Sequence, residues 1–149
     1  VCAGAKAILD IGLTLEYLET KGVPIIGYKT SELPAFYSSK SGFKVDYRVD
    51  SAFDIAEILK TKWGLSIEGG VLVTNPIPKT FELESAMMNE AINEAIIEAD
   101  KEKIKGKEIT PYLLSKVNEI TQGKSLNANI KLIQNNAALA AKIAIHYMK

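Results

Sequence analysis

The alternation of apolar and polar positions predicts that the chain opens as strand, helix and strand. Residues 1–2 have the character of the end of a buried strand. Residues 10–20 place apolar side chains at helical spacing, with Asp10 as the predicted N-cap and Gly22 as the terminator. Residues 23–28 then form a short β-rich run, so the unit predicts a right-handed crossover in a parallel sheet. The apolar face of this helix comprises Ile11, Leu13, Leu15, Tyr17 and Leu18.

The rest of the chain adds two predicted strands and four predicted helices. The continuous apolar run before Asn75 is typical of a buried parallel strand, whereas the alternating run around Arg48 predicts an edge strand. For Arg48, a solvent-exposed position without a ligand is favoured over a phosphate-binding role. Ser51, Thr110 and Ser125 are the predicted N-caps of three helices. The strands are residues 45–49 and 71–74, and the helices are residues 51–63, 84–105, 110–120 and 126–149.

Two irregular segments follow predicted strands and so fall where a parallel sheet places its functional loops. Residues 29–44 form a serine-containing loop in which Phe36 and Tyr37 either cover a substrate or plug a cleft. Asn75 opens a rigid Asn-Pro-Ile-Pro turn. Its side chain either points into a site or caps the turn, and the sequence leaves both possibilities open.

Composition narrows the class of protein without identifying it. The 149 residues contain 18 Lys plus Arg and 18 Asp plus Glu, so no basic excess favours extended nucleic-acid binding. A mononucleotide needs only a local site and remains possible. Cys2 is the single cysteine, which excludes an internal disulfide and fits a reducing, cytoplasmic compartment. No apolar run approaches the length of a membrane span, so we expect no membrane contact.

Lys6 is the one long, reactive side chain in an otherwise small-residue opening segment. Ala3, Gly4 and Ala5 precede it and leave the backbone open to close approach by other groups. A lysine at a strand end among small and apolar residues can be desolvated, which lowers its pKa and frees the amine as a nucleophile. A solvated lysine in a tight turn is the alternative, and spacing alone favours it.

Asparagines at the start of the last predicted helix need an explanation, because asparagine is a poor helix former. Local capping suits Asn127, whereas an amide at Asn129 would match the donor–acceptor edge of a pyrimidine. Spacing alone favours capping, and Asn135 and Asn136 are expected to pack the helix or support a site. His146, the only histidine, has no ligand partners at metal-binding spacing, so we assign no metal ligand in this chain.

Several long segments together resemble the pseudouridine-5'-phosphate glycosidases, the family grouped with indigoidine synthase A-like proteins. The segments are VCAGAKAILDIGLTLEYLET, GVPIIGYKTSELPAFYSSKSGF, NPIP, GKEITPYLL and SLNANIKLIQNNA. They follow the family's order, and the resemblance as a whole extends over essentially all 149 residues. The resemblance implies that residues 1–149 are the C-terminal portion of a single domain whose N-terminal half is missing. The expected fold is α/β, an α/β/α sandwich with a mainly parallel central sheet and a helix-rich C-terminal part.

The resemblance also implies a reaction and its residues. The family cleaves the C–C bond between uracil and ribose 5-phosphate of pseudouridine 5'-phosphate, reversibly and through a lysine Schiff base. Lys6 falls on the catalytic lysine and Asn129 on the uracil-binding asparagine. A divalent metal, manganese, and a homotrimer are expected from the family, with the metal-binding aspartate upstream of Val1. We therefore expect these 149 residues alone to be inactive, to expose apolar sheet surface, and either to aggregate or to bind the missing half.

Two other classes of function remain. Another Schiff-base phosphosugar lyase would also use Lys6 but would not need Asn129 to recognise a pyrimidine. A non-catalytic phosphosugar-binding module would need neither residue for chemistry. Release of uracil from pseudouridine 5'-phosphate separates all three hypotheses.

Overall fold

A parallel sheet with helices packed around it forms the framework of the chain. The computed structural model describes residues 1–5 and 10–149. The strands are β1 (Ile25–Tyr28), β2 (Tyr47–Val49) and β3 (Leu72–Thr74). The helices are α1 (Ile11–Thr20), α2 (Ala52–Gly64), α3 (Ser85–Lys101), α4 (Ile109–Ile120) and α5 (Lys124–Tyr147).

The sheet has the order β2-β1-β3, and both strand pairs are parallel. Cys2 extends it beyond β3 through a parallel bridge to Thr74. The Cys2 N–H donates to the Val73 carbonyl at 2.9 Å, and the Asn75 N–H donates to the Cys2 carbonyl at 2.7 Å. The predicted parallel sheet and the edge position of β2 are confirmed. Val1 is 44% exposed, however, so the prediction that this strand end is buried is wrong at Val1.

Two apolar clusters hold the helices in place. One joins the sheet to α2 and to the second half of α5, with Ile26, Ile55, Val73 and Ile143 at its centre. The other joins α3, α4 and the first half of α5. The buried members of the second cluster are Ala3, Tyr37, Ile77, Met88, Ala91, Ile92, Ala95, Ala99, Leu113, Val117, Ala128 and Leu132. The α/β class and the helix-rich C-terminal part are therefore confirmed.

Side-chain caps begin two helices where the sequence predicts them. The Leu13 N–H donates to Asp10 Oδ1 at 2.9 Å, and the Asp54 N–H donates to Ser51 Oγ at 3.0 Å. Each bond satisfies one of the N–H groups that a helix leaves without an internal partner. The face of α1 is narrower than predicted, because Leu13 and Tyr17 are exposed.

The predicted N-caps of α4 and α5 are wrong. A 3-10 turn, Gly106–Glu108, leads into α4, so Thr110 lies inside the helix and Glu108 takes the cap position. Gly123, with φ +83°, precedes α5, so Ser125 also lies inside the helix. The buried Ser125 instead donates its backbone N–H to Thr121 Oγ1 at 3.2 Å.

The long helix α3 ends at Lys101, four residues earlier than predicted. Lys103 adopts a left-handed conformation with φ +58°, and the Ile104 N–H donates to the Ala99 carbonyl at 2.9 Å. This geometry closes a helix and folds Ile104 back onto the apolar cluster. Among the helices that the structure describes, none combines the length and apolar character needed to cross a bilayer.

Candidate functional site

The carboxyl ends of neighbouring parallel strands meet at one edge of the sheet. Ala3 and Gly4 follow Cys2 there, the loop at residues 29–46 follows β1, and the Asn75 turn follows β3. Open parallel sheets bind ligands at this edge. The structure thus brings the opening segment, the serine-containing loop and the Asn-Pro-Ile-Pro turn together.

The loop after β1 lies directly on the opening segment. Gly4 forms an antiparallel bridge with Ala35, and the Phe36 N–H donates to the Ala3 carbonyl at 2.9 Å. Gly4 has φ +89°, and a Cβ at this position would lie 1.6 Å from the Pro34 carbonyl oxygen. The predicted close approach to this small-residue segment is therefore confirmed at Gly4.

A cleft of about 280 Å³ lies between this loop and the starts of α1 and α3. Ala35, which pairs with Gly4, and Ile11, the first residue of α1, both contribute to its wall. Its polar lining comes from Tyr37, Ser38, Lys40, Ser41, Ser85 and Asn89. Hydroxyl, amide and ammonium groups in one cleft suit a polar ligand with several oxygens.

Glu82 orders the serines at the rim of this cleft. Its Oε1 accepts from the Ser39 N–H and the Ser39 hydroxyl, both at 2.6 Å, and from Ser38 Oγ at 3.4 Å. Ser85 Oγ donates in turn to Ser38 Oγ at 3.0 Å. Partial burial by itself would raise the pKa of Glu82, but the Ser39 and Ser38 hydrogen bonds and nearby Lys79 outweigh it and lower that pKa.

The two loop aromatics pack inward. Tyr37 is buried in the apolar cluster and meets Phe36 edge-to-face, with ring centroids 4.7 Å apart. Burial raises the pKa of Tyr37, an effect partly offset by its hydrogen bond to Ser125. Tyr37 therefore belongs to the core, and the partly buried Phe36 packs against it. Both interpretations, aromatics that plug a cleft and a loop that covers a substrate, stay predictions.

Two side-chain amides fasten α5 to the turn after β3. Asn75 Nδ2 donates to Asn136 Oδ1 at 3.2 Å, and Asn135 Nδ2 donates to the Pro76 carbonyl at 3.1 Å. Asn75 is only 5% exposed, so its amide depends on this partner. The helix-packing interpretation of Asn135 and Asn136 is confirmed.

Asn129 is half-buried on α5, seven residues before Asn136. Seven residues make nearly two turns, so the two amides share a face about 10 Å apart along the axis. Ala128 and Leu132, on either side in sequence, are buried in the core, which fixes this part of the helix. Asn127 is exposed. The assignment of Asn129 to substrate stays a prediction.

Lys6, the predicted nucleophile, lies outside the described residues. Its described neighbours in sequence, Ala5 and Asp10, stand beside the bridge to the loop and at the start of α1. Arg48 lies on an exposed strand edge and pairs with Asp50 at 2.9 Å, as the solvated alternative predicts. Within residues 1–5 and 10–149, no group of three or more His, Cys, Asp or Glu side chains is arranged to hold a metal ion.

The sequence did not indicate the Glu82 network or its link to Ser85. The serines in the loop were a visible signal of a polar segment, but Glu82 is 43 residues from Ser39 and belongs to no local pattern. Its position depends on the 3-10 turn Lys79–Phe81, which returns the chain to the loop.

The parallel sheet and the helices packed around it define an α/β protein, and its polar cleft lies at the carboxyl edge, where open parallel sheets bind ligands. The family model described as "Indigoidine synthase A like protein" matches residues 1–146. The chain belongs to this family.

Relatives and solved structures agree with this assignment. The pseudouridine-5'-phosphate glycosidase of Clostridium botulinum is 60% identical over all 149 residues, which cover 48% of that protein. The pseudouridine-5'-phosphate glycosidase of Caldanaerobacter subterraneus is 56% identical over all 149 residues, which again cover 48% of that protein. The chain thus spans about half the length of the curated relatives it matches.

Two solved structures share the fold. An indigoidine synthase A-like protein from Thermotoga maritima superimposes with a TM-score of 0.89 at 34% identity, with 99% of this chain and 48% of that one covered. The prealnumycin C-glycosynthase, solved in complex with ribulose 5-phosphate, superimposes with a TM-score of 0.87 at 34% identity, covering 97% of this chain and 48% of that one.

Proposed function

We propose that this chain forms part of a pseudouridine-5'-phosphate glycosidase that converts pseudouridine 5'-phosphate and water to uracil and ribose 5-phosphate, reversibly. The main support is the 60% sequence identity, over an alignment of all 149 residues, to a protein named pseudouridine-5'-phosphate glycosidase. Because the chain covers 48% of that relative, the activity is proposed for a protein of the relative's full length.

Lys6 is the nucleophile in this proposal. A carbon leaving group has no lone pair to protonate, so a pair of carboxylates acting as in ordinary glycosidases is a poor fit. The ribose ring opens as the bond between the anomeric carbon and the ring oxygen breaks; the oxygen takes the bonding electrons and a proton, and electrons of the base form a double bond to the anomeric carbon. The neutral amine then adds to the anomeric carbon, the electrons of that double bond return to the base, and the nitrogen loses a proton. Uracil departs as its ring carbon gains a proton, and the C–C bonding electrons pass to that carbon. Water then hydrolyses the remaining imine, which releases ribose 5-phosphate and the amine.

The described part of the site supports this chemistry by position. The Gly4 bridge to Ala35 brings the segment that precedes Lys6 against the wall of the polar cleft. Its hydroxyls suit the ribose and phosphate oxygens of the proposed substrate. The C-glycosynthase of the same fold, solved with ribulose 5-phosphate, makes a phosphosugar a consistent ligand class.

Asn129 is the proposed uracil-binding residue. An amide offers one acceptor and two donors, which match the alternating carbonyl and N–H groups of the base. The hydrogen bonds of Asn75 to Asn136 and of Asn135 to Pro76 hold α5 at the carboxyl edge of the sheet. Asn129 lies on the Asn136 face of that helix.

The remaining parts of the proposal concern groups outside this chain. Following the family resemblance, we propose manganese as the divalent metal and assign its aspartate ligand to the portion of the enzyme that this chain does not span. No step above depends on the metal. From the family resemblance we further propose a homotrimer. We also propose a cytoplasmic location, in keeping with the single cysteine.

The decisive assay incubates the full-length protein with pseudouridine 5'-phosphate and Mn²⁺ and measures free uracil by chromatography. Stoichiometric uracil and ribose 5-phosphate are expected. A Schiff-base adduct with ribose 5-phosphate but no uracil release would favour another phosphosugar lyase. Phosphosugar binding with neither turnover nor adduct would favour a non-catalytic module.

A further inference from the structure

An apolar groove of about 450 Å³ runs along the open side of β3, away from the polar cleft. Its walls are Leu59 and Trp63 of α2, Val71 and Val73 beside and within β3, and Ile143 and Tyr147 of α5. Trp63 is 44% exposed and meets Tyr147 edge-to-face, with ring centroids 5.7 Å apart. Large apolar side chains exposed in an open groove indicate that another element packs against the groove.

Val1 also lines this groove, and the strand register explains why. Cys2 pairs with Thr74 in parallel, so Val1 is level with Val73. A strand running back from Val1 would therefore pass Leu72 and then Val71, along the floor of the groove. The groove thus coincides with the track of a continued strand.

The hydrogen-bonding groups of β3 fit the same track. The Leu72 N–H points to β1, where it donates to the Pro24 carbonyl at 2.9 Å, whereas the Val73 carbonyl accepts from Cys2. Because alternate residues face opposite sides, the Val71 carbonyl and the Val73 N–H face the Cys2 side. The residue immediately before Val1 would donate its N–H to the Val71 carbonyl and accept from the Val73 N–H.

Side-chain alternation gives a further requirement. Val73 packs into the cluster with Ile143, and the residue paired with Val71 would face the same side of the sheet. That residue is two positions before Val1, and its side chain would lie over Trp63 and Tyr147. It should be apolar, whereas the residue immediately before Val1 should face the other side.

We propose that this groove holds a parallel β-strand that continues back from Val1 and belongs to the part of the full-length protein that this chain does not span. The relatives are about twice as long as the chain, which covers 48% of them, so they contain ample sequence for such a strand. This inference rests on the proposed full-length enzyme but not on its chemistry.

Trp63 is the only tryptophan in the chain and therefore reports on the groove directly. In the full-length protein, with any other tryptophan replaced by Phe, acrylamide should quench Trp63 weakly. The matched reporter is Phe53→Trp in a Trp63→Phe background, because Phe53 lies on the same helix, outside the groove and 53% exposed. We expect several-fold stronger quenching of that reporter. Equal quenching of the two would overturn the proposal.

A pair of variants tests the register. Asp at the position two before Val1 should increase the quenching of Trp63, whereas Asp immediately before Val1 should not. Shielding of Trp63 that survives both changes but falls on dilution, together with dissociation in ultracentrifugation, would assign the groove to a second copy and refute the strand. Fluorescence is independent of turnover, so an inactive enzyme with a shielded Trp63 would refute only the proposed function.

Discussion

Gly4 and Pro34 approach so closely that a Cβ at Gly4 would lie 1.6 Å from the Pro34 carbonyl oxygen. The contact joins the strand end that precedes Lys6 to the loop that forms the cleft. Only glycine permits both this distance and the φ of +89°. The geometry of the candidate site therefore depends on the absence of a side chain at this position.

Gly4→Ala should destabilise the protein by more than about 3 kcal/mol, because the loop must move in addition to the backbone strain. Gly42→Ala is a close control, since Gly42 has φ +85° and a Cβ at this position would meet no other group within 4 Å. That variant should lose only about 1–2 kcal/mol from the left-handed conformation. Urea denaturation measures both values, and equal losses would show that the Pro34 contact is unimportant.

The Asn75–Asn136 hydrogen bond should contribute measurably to stability. Asn136→Ala leaves the buried Asn75 amide without this partner and should cost about 1–3 kcal/mol. The double variant with Asn75→Ala should lose less than the sum of the single losses. Asn127→Ala, exposed on the same helix, should change stability by no more than about 0.5 kcal/mol. Strict additivity in the cycle would argue against the bond.

Glu82 should make stability depend on acid pH. Because its pKa is lower in the folded protein than in the unfolded chain, its contribution is complete above the unfolded pKa. The contribution is lost as the pH falls through the folded pKa. Glu82→Gln should therefore be less stable than wild type at pH 7, and the gap should narrow in acid.

Denaturant titrations at several pH values measure that gap. Glu94→Gln, on the exposed side of α3, is the control and should follow wild type throughout. A gap between Glu82→Gln and wild type that stays constant down to strongly acid pH would contradict the assigned role of the Ser39 hydrogen bonds.

Helix starts that depend only on residues close together in sequence could be predicted from the sequence. Asp10 and Ser51 were found as N-caps because a cap requires only a side chain and an N–H three residues later. Thr110 and Ser125 gave the same signal, but the 3-10 turn and Gly123 moved the helix starts ahead of them. Propensity alone does not determine which of two adjacent starts packs better.

Long-range contacts in the site could be anticipated only in part. The small side chains around Gly4 predicted that another segment lies close to this part of the backbone. No local feature of the sequence indicated that the neighbouring residue is Pro34. The hydrogen bonds that Asn75 donates to Asn136 and that Ser39 donates to Glu82 span 61 and 43 residues. Such pairs depend on how α5 and α3 pack, which hydrophobic spacing constrains without specifying.

Asn129→Ala should weaken base recognition selectively in the full-length enzyme. An unpaired donor or acceptor at the pyrimidine should cost about 1–3 kcal/mol in uracil binding. Ribose 5-phosphate should bind nearly as before, and Asn127→Ala should leave both ligands unaffected. Titration calorimetry with each ligand measures the difference, and equal weakening of both would indicate a folding defect in α5 instead.

Lys6 as the covalent catalyst is the central claim, and imine trapping tests it most directly. Full-length enzyme is incubated with ribose 5-phosphate, reduced with borohydride, digested and mapped by mass spectrometry. A stable sugar adduct on Lys6 is expected. Lys6→Ala should give neither adduct nor uracil, while Lys142→Ala, on the exposed side of α5, should give both. An adduct on any other residue, or full turnover by Lys6→Ala, would contradict the account.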